Sequence, residues 1–417
     1  MLASKHLTAS AAESINFQGV SGATADSNQV ASTLSGGDTT LSAGKVVLQG
    51  GNVEAGGSIE IEASKSDVLI HALPDLTLNT HAAFSLNNSS CCTSSPIQTA
   101  ATNSAPILKA NNGLSISAYN GGVFAKGLQA SGSDVSIVSN GIIQIDRVEN
   151  VAPTKFSSPL KSNIIARGDL TIGSIHETGL IELLGSTLTA TGQAKVIGNG
   201  AVNLLSTATS HTLSDGGKVT TTSRAEISGA GVTVQGGSVS AEGLLMSAKN
   251  GHANIGATSG DARLDFGGMA YTEVNATGNV AVHANKDVNA QNVQATAGKN
   301  LAVTSATGTI ASTRGTLTAK DMLSLSSKGA QTHVSSTFTG GAMSVYNQTG
   351  VQTLNGTTLR STNTAALSGV SGQLNVESGG GVTADTTTML DAATDLAVVT
   401  GTGGITIAPD RSFSAPE

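Results

Sequence analysis

Residues 278–329 read GNVAVHANKDVNAQNVQATAGKNLAVTSATGTIASTRGTLTAKDMLSLSSKG. Aligning NVAV, NLAV and MLSL puts Val280, Leu301 and Leu323 in register, 21 and 22 residues apart. Working outward, Met343 in MSVY follows 20 residues later, and Ala365 in AALS another 22. On the N-terminal side, Leu114 in GLSISA and Val135 in DVSIVS repeat the 21-residue step. A fixed period of this size is the signature of a solenoid, in which each repeat buries its apolar side only by stacking on its neighbours.

The pattern inside one period is that of strands. Leu301-Ala302-Val303 alternates apolar with small residues, Gly308-Thr309-Ile310 opens a second short strand, and Gly315 to Ala319 a third. Period-2 alternation places the apolar set on one face of a strand. Gly, Asn, Asp and Ser at the joins supply turn conformations. No apolar run recurs at helical spacing over three turns. The expected fold is all-β, a right-handed parallel β-helix with rungs of 20–22 residues, forming a single repeat region over 1–417. Asn279 and Asn300 fall at equivalent corners, which predicts an Asn ladder. Dividing the chain by its period gives at most ~20 rungs, or ~95 Å at the inter-strand spacing of ~4.8 Å.

Composition agrees with a narrow interior. Aromatics are 2%, Trp is absent and charged residues are 12%, against about 25% charged in ordinary globular domains. The 38% apolar share and net charge of −7 do not fit the low hydrophobicity and high net charge of disorder. The acidic balance, with no Lys/Arg cluster, argues against nucleic acid as a partner. No run of about 18 apolar residues is present, so no membrane-spanning helix is expected. Nor does the N-terminus, MLASKHLTASAAESINFQGV, show a secretory apolar core. The chain reads as an interior piece or truncated frame of a longer protein.

Two stretches break the rhythm: 79–112, rich in Ser, Thr, Asn and Pro and containing Cys91-Cys92, and 147–163, with two more prolines. Proline cannot donate to a strand ladder, so both are expected to loop out of the coil wall. Weaker irregularities cover 206–226 and 256–276. Adjacent cysteines strain a disulfide, and Cys91-Cys92 reads as a tolerated pair in a surface loop.

By these residues, GKVVLQGGNVEAGGSIEIEAS (44–64), GVTVQGGSVSAEGLLMSA (231–248) and GKNLAVTSATGTI (298–310), the chain resembles the filamentous haemagglutinin-type repeats of large Gram-negative exoproteins. The resemblance covers most of 34–407. It implies a right-handed β-helix at the cell surface, exported through an outer-membrane transporter partner by two-partner secretion. It further implies a structural or adhesive role toward a host or bacterial surface receptor or glycan. The alternatives are a passive stalk of a contact-dependent growth inhibition effector and a β-helix polysaccharide-degrading enzyme.

Candidate chemistry is sparse. Arg167-Gly168-Asp169 pairs a guanidinium with a carboxylate, as a cell-attachment loop would, but Gly168-Asp169-Leu170 is also an ordinary rung start. Asp265 and Asp287 stand 22 apart without a basic or aromatic companion at rung spacing, and glycoside chemistry needs paired carboxyls. The eight histidines, His6, His71, His81, His176, His211, His252, His283 and His333, form no H-x-x-x-H pair. GGDTT at 36–40 lacks the repeated G-G-x-G-x-D frame of a calcium solenoid. The sequons at Asn275 and Asn355 are those expected by chance in so Asn- and Thr-rich a chain. No catalytic residues, cofactors or metals are expected.

Overall fold

A computed structural model of the chain describes residues 2–3, 5–18, 20–21, 28–29, 32–50, 52–71, 105–148, 161–176, 178–205, 207–209, 212–215, 217–256, 272–363 and 372–407. Every regular element among them is a strand, and the strands recur in sets of three. Leu301–Ser305 is a first strand, Ile310–Thr313 a second and Thr316–Ala319 a third, before Met322–Ser327 opens the next coil. The three ladders built this way are the first, second and third faces of the rod.

Each strand pairs in parallel with its counterpart one coil away. Leu301 lies opposite Val280 and Leu323, Ile310 opposite Val288 and Gln331, and Leu317 opposite Ala295 and Phe338. The third face is one sheet of 15 strands. The first and second faces join into a 28-stranded sheet because Leu7–Gln18 and Thr39–Gln49 run unbroken around the corner between them. The chain is therefore a parallel β-helix, with the hand that right-twisted strands impose on parallel crossovers. Fourteen coil spacings give a rod of ~67 Å, shorter than division by the period suggests because several coils carry extra residues.

The interior is a set of stacked columns. Ile116, Ile137, Ile172, Val196, Ile227, Met246, Val282, Val303, Leu325, Val345 and Val376 follow one another at the same position of the first face. All are buried. At the tight corner ending this face the inward residue is small, alanine or glycine in some coils and serine in others. The Ser139 hydroxyl donates to Gly121 O at 2.8 Å, Ser174 to Gly141 O at 2.8 Å and Ser305 to Lys286 O at 2.6 Å. Serine is thus a structural residue that satisfies corner carbonyls a coil interior leaves unpaired. Asn300 donates its backbone N–H and its amide to Asn279 Oδ1, each at 3.1 Å, so the Asn ladder read in the sequence is present.

One corner differs from the others. Where the second face passes to the third in short form, a single residue takes positive φ: Gly50 (60°), Gly127 (68°), Gly185 (59°) and Gly236 (59°), then Asn292 (51°), Arg314 (53°), Ser335 (49°) and Gly356 (58°). This left-handed conformation suits glycine and strains side chains with a Cβ. The intervening coils, every second one, carry long connections at this same corner. They run from Gln18 to Ser32, His71 to Ile107, Asp146 to Asn163, Leu205 to Lys218 and Gly256 to Thr272. Two of the connections include short antiparallel pairs, Val20–Ser21 with Asn28–Gln29 and Thr207–Thr209 with Thr212–Asp215. From Val280 to Ser361 the rod has short corners only.

Three boundaries read in the sequence are corrected. Ile107–Ala110 belongs to the coil wall, between Asn52–Ala55 and Gln129–Gly132, so the 79–112 excursion ends before it. Pro106 precedes this strand, where only its carbonyl is needed, and that oxygen accepts from Gln129 N at 2.9 Å. The second excursion, 147–163, is narrower at both ends. Arg147 is buried, and Asn163–Ala166 is a third-face strand. The bulk of both excursions, with Cys91-Cys92, lies outside the described residues. Lastly, Met343 is in register with Leu374, not Ala365. A longer third-to-first corner between Ser361 and Leu374 displaces the count, and Ala365 itself lies outside the described residues.

Candidate functional site

Arg167-Gly168-Asp169 sits at the third-to-first corner. Asp169 Oδ1 accepts the Gln193 N–H at 2.7 Å, and the Asp169 N–H donates to Asp134 Oδ1 at 2.8 Å. The Arg167 guanidinium donates to Ala110 O at 3.4 Å and to Asn111 O. Both side chains are exposed, yet both already brace coil to coil. The same use of a corner carboxylate recurs at Asp38 to Ser58 N, Asp67 to Gly122 N and Asp287 to Thr309 N, each 2.8 Å. GGDTT is therefore a corner of this kind.

Of the carboxylates expected at rung spacing, Asp265 lies outside the described residues. Asp287 instead meets His252, with Nδ1 3.1 Å from Oδ2, and hydrogen bonds from Thr309 hold its carboxyl below the usual carboxylate range. Asn275 and Asn355 are exposed. His81 and His211 lie outside the described residues. His333 is wholly buried, and burial pushes its ring down to about 3, so it is neutral. Its Nε2 stands 3.1 Å from Gln331 Oε1, which accepts. Its ring meets Phe338 edge-on, with centroids 5.0 Å apart and planes at 87°. Among the described residues no group of three or more His, Cys, Asp or Glu could hold a metal, and no helix is long and apolar enough to cross a membrane.

The densest outward cluster of chemistry lies on the second face. Phe124, Gln144, Glu182 and Asn203 stack in one rank on four consecutive coils. In the neighbouring rank His71, Lys126 and Asp146 stack on three. Outward positions on a strand recur every second residue, so Ile142, Gln144 and Asp146 form one row and Gly122, Phe124 and Lys126 the next. Ile142 is 41% exposed. Phe124 lies back across Gly122: a Cβ there would stand 2.6 Å from its Cε2 and 2.9 Å from its Cζ. The ring can occupy this place only because residue 122 has no side chain.

Asp146 is only 5% exposed. Its Oδ2 accepts from Gln144 Nε2 at 2.8 Å, while Oδ1 is buried without a hydrogen-bond partner. Burial pushes its carboxyl up to about 6, with Lys126 opposing and Glu182 adding to the rise. Burial, then Lys126, holds His71 below its ordinary value. Acidic pairs at rung spacing do not mark this cluster in the sequence. Lys126 and Asp146 are 20 residues apart but of opposite charge, and the Asp146–Asn163 connection hides the partnership of Gln144 with Glu182.

Asp146 makes folding pH-dependent in a known direction. Its folded pKa is raised, so the carboxyl costs nothing below about pH 3.8, where folded and unfolded chains are both protonated. The cost grows between pH 4 and 6 and is complete above 6. Asp146→Asn is expected to stabilise the chain by about 1–2 kcal/mol at pH 7.5, allowing for screening, and by nothing at pH 3.5. Urea titration of both proteins at the two pH values measures this; equal gains at both would assign the effect to something other than charge.

Comparison of the chain with protein-family models finds no match. The same holds for the curated proteins and for the solved structures.

Proposed function

We propose that the chain is a structural and adhesive segment of a secreted, filamentous haemagglutinin-like bacterial surface protein. It would form part of an extended fibre presenting contact surfaces to a host or bacterial receptor or glycan, with export through an outer-membrane transporter partner. The observation that carries this reading is the polarised rod. A continuous β-helix holds its long connections at one corner, in alternate coils, over its N-terminal two thirds. A rigid axis with side chain and loop variety confined to one edge suits display, since binding residues concentrate on loops positioned by a scaffold. The resemblance of the quoted repeats at 44–64, 231–248 and 298–310 supports the family and the surface location in this reading.

A second reading has its own support. The coils from Val280 to Ser361 carry no long connection, and outward residues such as Ala302, Thr304, Ser324 and Ser326 are small and uncharged. That part of the rod suits a spacer, as in the stalk of a contact-dependent inhibition effector.

Beads coated with the purified chain are expected to attach to epithelial or bacterial cells several-fold above albumin-coated beads. Attachment no greater than the albumin control would leave the spacer role alone. Asp169→Asn keeps the acceptor for Gln193 and removes the charge; reduced attachment by this variant would assign contact to Arg167-Gly168-Asp169.

A further inference from the structure

We infer that the second face around Phe124 is a binding site for a neutral oligosaccharide, an inference that rests on the adhesive reading above and names its ligand class. The site spans the coils of Phe124, Gln144 and Glu182, about 10 Å along the rod.

Three features point to a sugar. Phe124 is half-buried and its ring tip lies back over Gly122, so part of the ring stays open to solvent beside the sheet. Exposed Ile142 continues this platform on the next coil, and Tyr119, 52% exposed, stands on the same coil as Phe124. A flat aromatic surface beside an aliphatic one matches the C–H face of a pyranose, which is apolar on its faces and polar at its rim. Around the platform stand groups suited to that rim. Gln144 and Glu182 follow Phe124 in its own rank, and Lys126 stands two residues along its strand.

The polar groups are also oriented. Gln144 spends one amide N–H on Asp146 Oδ2 at 2.8 Å, which fixes the amide plane and leaves Oε1 and the second N–H for hydroxyls. Asp146 is thus a positioning residue, and its near-complete burial keeps it from the ligand itself. Charge selects against an acidic sugar: Glu182 faces outward at one end of the site, while the charge of Lys126 is offset by Asp146, its register partner on the next coil. Glycoside cleavage would need two carboxyls flanking the bond, and here only Glu182 faces the ligand, so the site binds without cutting.

The test is calorimetric titration of the full chain with cellotetraose, maltotetraose, chitotetraose and tetragalacturonate. At least one neutral tetrasaccharide is expected to bind and to be recovered intact. Phe124→Ala should weaken it about tenfold or more, while Phe124→Trp retains it. Gln144→Ala, outside the core, should weaken it several-fold with unchanged circular dichroism. The inference is overturned if no neutral sugar binds, if only tetragalacturonate binds, if the sugar is cleaved, or if binding survives both alanine variants. Its failure is separable from that of the adhesive reading: coated beads that attach to cells while no tetrasaccharide binds would remove this site alone.

Discussion

Val303→Asp is expected to destabilise the rod by about 4 kcal/mol or more, among the largest effects a single substitution in this chain can have. Val303 is 7% exposed and stacks directly between Val282 and Leu325. A carboxylate there would stack between Val282 and Leu325 in an interior shared with the neutral His333 and otherwise mainly apolar side chains, so burial raises its pKa and favours the protonated form. The sign with pH follows. The folded pKa of the introduced carboxyl is raised, so the loss is largest above neutrality and shrinks as pH falls toward the ordinary carboxylate value. Because each coil touches only its neighbours, damage should begin in coils 280–327 and spread outward. Hydrogen exchange shows this as lost protection in Val280–Ala284, Leu301–Ser305 and Met322–Ser327. Unchanged protection in these strands would mean that position 303 does not face the interior.

Phe338→Ala should cost roughly 3–5 kcal/mol. Phe338 has no exposed surface and is the largest fully buried side chain among the described residues. It lines, with His333, Ser312, Leu317 and Leu325, an interior cavity of about 30 Å³. Removing the ring enlarges a void that is already present and leaves His333 without its edge-on partner at 5.0 Å. His333 and Gln331 are buried polar groups that rely on each other, and loosening one exposes the other to water. The expected order of loss is Thr337–Gly340 first, then the adjoining Thr316–Ala319 and Thr358–Ser361. Phe338→Leu, which fills most of the volume, should recover more than half of the loss. A cost below about 1 kcal/mol for Phe338→Ala would show that the coil collapses onto the vacated space.

How much of this could be read from residues alone depends on where the corners are short. Across Val280 to Val345 every corner has one to four residues. The alternation of Leu301-Ala302-Val303 and its copies therefore survives as a regular period, and the observed register matches it pair by pair. Beyond Met343 the longer corner before Leu374 moves the next coil by about ten residues, so the period alone points to Ala365 instead. Ile107–Ala110 was hidden by a different effect. ILKA is a four-residue strand just after a proline and a Ser/Thr-rich stretch, too short for alternation to stand out against its flanks. Up to Thr272 the long connections share one corner, and this is visible only once the coils are stacked. No local sequence signal carries it, although the left-handed glycines at 50, 127, 185 and 236 mark the short corners between them.

The site followed the same rule. Phe124 and Gln144, 20 residues apart, obey the period, but neither is a motif and the sequence alone singles out neither. The third member, Glu182, lies 38 residues on because of the Asp146–Asn163 connection. Arg167-Gly168-Asp169 was legible as letters, while its bracing of Asp134, Gln193 and Asn111 needed the neighbouring coils.

The central claim, a single rod whose long connections add no rise, is tested most directly by spin-label distances along one outward column. Ser115, Ser136, Thr171, Lys195, Glu226, Leu245, Ala281, Ala302, Ser324 and Ser344 succeed one another on the first face, one per coil. With Cys91 and Cys92 replaced by serine, labels at 115 and 302 should lie ~34 Å apart and labels at 115 and 344 ~43 Å apart, each with a narrow distribution. A step of ~10 Å between the two pairs, for two added coils, is the account's prediction. Broad distributions, or a distance from 115 to 344 no longer than that from 115 to 302, would contradict it.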